Sequence, residues 1–155
     1  MRYSVLPSLL VLLGGCVHLV PPQPAAPRPS TAVAASRDRV WDAVIEIFAE
    51  MNIPIRTIDR ASGFLATEPL SVPPRTGKEL AACGTIMGVA IPPDRAIYNV
   101  LVRESGSVSS VKVTIAFTQG GSAMDPTIIN CTSRGVWEAA FEEKVRRIAE
   151  TKASP

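Results

Sequence analysis

Three cysteines, one histidine and a scatter of carboxylates are the residues of this 155-residue chain whose side chains could do chemistry. The histidine, His18, stands ahead of a proline-rich stretch, so everything that follows it lacks an imidazole. Serine or cysteine hydrolysis through an imidazole base, and most zinc sites, depend on that group, and neither is expected. Glu68 and Asp94 are carboxylates an enzyme could use, but nothing in their spacing brings two such groups together. No catalytic residue is assigned, and the chain is read as a non-enzyme. Asp42, Glu46 and Glu50 recur at intervals of four. An oxygen-ligand cation site generally draws on more than one element or a dedicated loop, so these three read as a solvated helix face. There is no phosphate-cradling glycine motif, no internal repeat and no paired zinc ligands, so no cofactor and no metal are expected.

The first cysteine belongs to the amino terminus. Met1, Arg2 and Tyr3 lead into an apolar run from Val5 to Leu13, broken only by Pro7 and Ser8, and then into small residues. That is the order of an export signal. A spanning helix needs roughly 20 apolar residues, and this run is under half that length. Leu13-Gly14-Gly15-Cys16 closely resembles the lipobox of bacterial lipoproteins. The resemblance implies that the Cys16 sulfur receives a diacylglycerol, that the preceding peptide bond is cut, and that the new amine is acylated. Two or more acyl chains hold a protein stably at a membrane, since each buried methylene contributes about 0.8 kcal/mol. Val17 stands where an aspartate would signal inner-membrane retention, so the resemblance implies the outer membrane, with the domain facing the periplasm. An ordinary secretory signal with an incidental cysteine is the alternative.

Export would place Cys83 and Cys131 where disulfides persist. A bridge between them closes a loop of 48 residues, worth about 4 kcal/mol as an upper chain-entropy figure. It is expected to pin a long loop to the start of the last helix. The alternative is a soft-metal site, with Met87 and Met124 joining the two thiolates to suit cuprous copper.

The chain divides into a signal (residues 1–15), a lipidated cysteine with a tether (16–35), one domain (36–151) and a short tail (152–155). From Pro21 to Ala35 the composition is proline, alanine and small polar residues with no apolar period. Such a segment is expected to stay unordered and, at about 3.1 Å per residue, to hold the domain roughly 40 Å from the bilayer. Of the chain's 16 basic residues only Arg2 precedes Cys16, which leaves 15 against 14 acidic ones. Near-neutral charge argues against a nucleic-acid partner.

Within the domain, Val40, Trp41, Val44, Ile45, Ile47, Phe48 and Met51 share one face at helical period. Ser36 is a plausible N-cap and Asn52 with Pro54 a stop. Two short runs around Arg60-Ala61-Ser62 predict a β-hairpin, and Ala96–Glu104 with Val108–Thr118 predict a second. Trp137, Phe141, Val145 and Ile148 then make a helical stripe, with Glu142, Glu143, Arg146 and Arg147 opposite, Glu142 to Arg146 and Glu143 to Arg147 pairing at four-residue spacing, and Ser133 or Thr132 as cap. The expected fold is α+β: a two-layer sandwich of one four-stranded antiparallel sheet with an N-terminal and a C-terminal helix.

That order is similar to the helix-grip modules of outer-membrane lipoproteins of the BamC kind, from the assembly complex for outer-membrane proteins. The likeness lies between Val40 and Thr67: a Val40-Trp41 pair entering a helix, then an extended run into Asp59-Arg60-Ala61-Ser62-Gly63-Phe64-Leu65. It implies a membrane-anchored interaction or accessory module in a cell-envelope complex, its partners being the bilayer, through acylated Cys16, and envelope proteins. Two other roles stay open: a periplasmic protein binding a small lipid, glycan or peptide under a helix, and a carboxylate enzyme. Long loops are commonly functional, so a binding surface is expected on Pro69–Arg95 or Gln119–Asn130, with Arg75, Lys78 and Arg95 as candidates for meeting an acidic partner.

Overall fold

The computed structural model describes residues 18–106, 108–120 and 127–151. The expected signal, Cys16, Met124 and the tail lie outside these residues. In chain order the elements are β1 (Leu19–Val20), β2 (Thr31–Val33), α1 (Arg37–Glu50), β3 (Ile55–Asp59), β4 (Phe64–Thr67), β5 (Leu70–Ser71), α2 (Pro74–Leu80), β6 (Ala81–Ala82), β7 (Thr85–Ile86), β8 (Val89–Ala90), β9 (Arg95–Ser105), β10 (Val108–Gln119), β11 (Ile129–Ser133) and α3 (Val136–Thr151).

Strict alternation builds the centre. In β10 Ser109, Val111, Val113, Ile115 and Phe117 are buried while Lys112, Thr114 and Ala116 face outward. The strand pairs along its length with β9, from Val108 opposite Ser105 to Thr118 opposite Arg95, and Gly106 turns the hairpin at φ 65°. The other edge of β9 is shared by β4 and β5, and the other edge of β10 by β2 and β11. With β3 beyond β4 and β6 beyond β11, the main sheet holds eight strands, and β1, β7 and β8 form a second sheet of three. The expected four-stranded sheet with two helices is therefore corrected: the α+β fold has three helices, two sheets and more strand than helix.

The difference comes from two segments. Residues 69–95, expected as a loop, carry α2, of 7 residues, and the strands β5–β8, each 2 residues long, in which a period of two has no room to show. The proline-rich stretch is not free either. Thr31–Val33 joins β10 opposite Ser109–Val111, and Val33 is fully buried. A three-residue strand needs only three extended residues and an unpaired edge, so the prolines that precede it do not forbid it.

Helices α1 and α3 cover one face of the sheet. Phe48 of α1 lies 5.0 Å from the Phe141 ring of α3 and 6.0 Å, edge-on, from the Tyr98 ring of β9, and such pairs add about 1 kcal/mol each beyond the area they bury. The α1 face is as the periodicity predicts, except that Met51 is exposed. Ser36 sits at the N-cap without a side-chain hydrogen bond. In α3 the buried face is rotated: Glu138, Phe141, Glu142, Val145 and Ala149 point inward, and Trp137 is half exposed. The expected Glu142–Arg146 pair is absent as a result. Arg146 instead pairs with Glu143 at 2.6 Å and Glu150 at 3.0 Å. Ser133 lies outside the helix, where its hydroxyl accepts the Gly135 N–H at 3.0 Å.

Cys83, between β6 and β7, is bonded to Cys131 in β11. The bridge ties the small sheet to the edge of the large one. With both sulfurs so engaged, neither is a thiolate ligand, and the copper alternative is set aside for this pair.

Candidate functional site

Two adjoining apolar cavities open where the C-terminal end of α1, the first turn of α3 and β9 meet. One, of about 190 Å³, is lined by residues including Ile47, Met51, Tyr98, Trp137 and Lys144. The other, of about 290 Å³, shares Met51, Tyr98 and Trp137 and runs on to Leu70, Val72 and Pro73. Each wall has a local cause. Asn52 takes a left-handed turn at φ 52°, which ends α1 and leaves Met51 on the rim. Leu70 is drawn to β9 by its pairing opposite Ala96. Trp137 stands one residue into α3, with its ring 6.3 Å from that of Tyr98.

The floor of this groove is Tyr98. Its side chain is 1% exposed, and its backbone N–H donates to Thr67 Oγ1 at 3.1 Å, but its hydroxyl finds no partner among the described residues. A buried hydroxyl without a partner is costly, about 1–3 kcal/mol. Burial, with the Glu138 charge nearby, pushes the phenol well above its ordinary pKa of 10.0, so it is held as a neutral donor.

Glu138 and Glu142 are buried carboxylates, one turn apart on α3, that the sequence reading placed among polar or unremarked positions. Glu142 has a structural task. Its Oε1 accepts the Val113 N–H at 2.8 Å, within the part of β10 that neither β2 nor β11 pairs. Its Oε2 accepts from Thr31 Oγ1 at 2.8 Å and Arg28 Nη2 at 3.1 Å. The carboxylate thus stands in for a missing neighbour strand and grips the proline-rich segment. Glu138 Oε1 accepts from the Ser133 hydroxyl, while its Oε2 has no partner among the described residues. The signal for both was available in principle, since positions 138, 141, 142, 145 and 149 follow the helical period as well as the stripe that was read.

Arg75 and Lys78 lie one turn apart on α2 and Arg95 begins β9. All three are exposed, on two separate elements. Lys78 lines a third cavity, of about 190 Å³, together with Arg134 and residues of the small sheet. Asp42 and Glu50, on the helix face weighed as a cation site, pair with Arg60 at 3.6 Å and Lys144 at 2.8 Å. No cluster of three potential metal ligands occurs among the described residues. No helix among those residues is long and apolar enough to cross a membrane. No protein-family model matches the chain, and no curated protein matches it significantly.

Proposed function

We propose that the chain is a lipid-anchored envelope protein whose domain acts as an interaction module, receiving an apolar side chain of a partner protein in the Met51–Tyr98–Trp137 groove. The observation that carries the reading is an apolar groove whose rim presents Met51 and Trp137, 45% and 39% exposed, above the buried Tyr98. An apolar side chain of a partner would cover both rim residues. Aromatic anchors around a small desolvated pocket are where protein interfaces concentrate their energy. Cavities of about 190 and 290 Å³ fit single side chains better than a small-molecule ligand, whose pockets usually span about 300–1,000 Å³. The lipobox supports the anchor, and the Cys83–Cys131 bridge is in keeping with an oxidising compartment.

The test is extraction of the full chain from bacterial membranes in mild detergent, with mass analysis of the residue at position 16 and of whatever protein accompanies it. A diacylated Cys16 and a partner lost from Trp137→Ala and Met51→Ala proteins, but retained by Arg75→Ala, is the expected result. Tyr98→Phe should be as stable as wild type or more so, because it removes only the orphaned hydroxyl. An unmodified Cys16, or a partner indifferent to both groove variants, would sink the proposal.

A further inference from the structure

The small sheet has two unlike faces. Leu19 stands opposite Ile86, and Ile86 opposite Val89, and residues directly opposite on antiparallel strands share a face. The three therefore form one apolar row across β1, β7 and β8. They are 53%, 44% and 67% exposed. The other row, Val20, Thr85 and Ala90, lines the third cavity with Ala81 and Ala82, with Val20 itself 39% exposed. At the tip of the β7–β8 hairpin Met87 and Gly88 both have positive φ, 50° and 79°. This is a two-residue turn in which asparagine or glycine is the usual first residue. Here that position holds an apolar side chain that is 77% exposed. A sheet this small normally hides its apolar face, and this one presents it together with an apolar tip.

What covers that face follows from where the described chain begins. The Met87 N–H donates to the His18 carbonyl oxygen at 3.3 Å, so the hairpin tip touches the first described residue. Cys16 is two positions earlier, and two residues of chain span at most about 7 Å. Acyl chains on Cys16 would therefore enter the bilayer beside Leu19, Ile86, Met87 and Val89.

We infer that the outer face of the β1–β7–β8 sheet, with Met87, lies in the interfacial layer of the bilayer, a second membrane contact that fixes the domain's orientation. The inference rests on the anchoring of Cys16. It places the domain against the membrane, not at the end of a spacer, because the proline-rich segment is spent in crossing the domain to β2.

The experiment uses the full chain made with its leader, extracted from bacterial membranes and reconstituted in phosphatidylethanolamine–phosphatidylglycerol vesicles whose acyl chains carry bromine, a contact quencher of indole emission. Val89→Trp reports from the strand and Met87→Trp from the tip. Val108→Trp is the control, nine residues along β10 from the end that pairs with β11 and so about 30 Å away. Wild-type protein gives the background from Trp41 and Trp137. The expected result is quenching at positions 87 and 89 at least about threefold greater than at 108. If Cys16 is acylated and both reporters are quenched no more than the control, the docking face is overturned and the anchor stands. If Cys16 is unmodified, the anchoring reading fails by itself, and vesicle quenching still decides the face: strong quenching upholds it, and none overturns it. Reporters shielded without quenching, in a protein that sediments as a dimer, would assign the face to a second copy and overturn the membrane contact.

Discussion

Glu142 and Tyr98 show how single buried polar groups can serve opposite ends. Glu142 is satisfied on both oxygens, by one backbone and two side-chain donors. Glu142→Ala would strand the Val113 N–H and the Thr31 hydroxyl, and should lower the unfolding free energy by about 3 kcal/mol in urea melts. Glu142→Gln keeps an acceptor for Val113 and should cost less than half as much. Tyr98 is unsatisfied, and its titration gives a pH signature. With its pKa raised above 10.0, the folded chain keeps a proton that the unfolded chain releases once the pH passes that value. The stabilisation is thus complete below pH 10.0 and is lost as the pH rises toward the folded-state value. Between pH 10.0 and the folded-state value stability should fall by up to about 1.4 kcal/mol per pH unit, a slope that should flatten in Tyr98→Phe.

At the scale of elements, strand β2 decides whether the proline-rich segment is a spacer or part of the domain. Val33 is buried without residual exposure and Ala35 nearly so, and the Ala34 N–H donates to Glu150 Oε1 at 3.0 Å. Hydrogen exchange of residues 31–33 should therefore be slow, close to that of the paired residues of β10. Val33→Ala should cost about 2 kcal/mol by the removal of buried methyls. Rapid exchange there would mean that the segment is a tether after all. What was legible in the sequence follows the same physics. The β3–β4 and β9–β10 hairpins, α1 and α3 carry enough residues for a period to declare itself, and Asp59 closes the first turn by accepting from the Ser62 hydroxyl at 2.8 Å and the Ala61 N–H at 2.9 Å. Two-residue strands carry no period. Composition speaks for the prolines on average and not for the Thr31-Ala32-Val33 that follows them. The period of α3 allows Glu142 to be buried, but its partners Arg28 and Thr31 are not legible, since they lie more than a hundred positions away. The groove is not legible in the sequence because Met51, Tyr98 and Trp137 come from separate parts of the chain, and each alone reads as ordinary core.

At the scale of the molecule, the Cys83–Cys131 bond connects the sheet that carries the groove to the sheet that carries the exposed apolar face. Its loop of 48 residues encloses β7–β10, so reduction frees the denatured chain by about 4 kcal/mol of loop entropy at most. The native-state consequence is more local. The small sheet has only two-residue pairings, Leu19–Val20 with Thr85–Ile86 and those with Val89–Ala90, and a sheet that short is not stable by itself. Besides the bridge, the Arg134 N–H to the Leu80 carbonyl at 2.8 Å and the Thr132 hydroxyl to the Gln23 carbonyl at 2.6 Å hold the neighbouring chain in place. Reduction by dithiothreitol, or Cys83→Ser paired with Cys131→Ser, should therefore lower the urea midpoint and raise exchange in residues 81–91 well before it raises exchange in β9 and β10. The same treatment should weaken bromolipid quenching of Val89→Trp, while an acylated Cys16, which is no partner in the bridge, would keep the protein on the vesicles. Uniform loss of protection across both sheets would show that the bridge serves global stability only, with no separate hold on the small sheet.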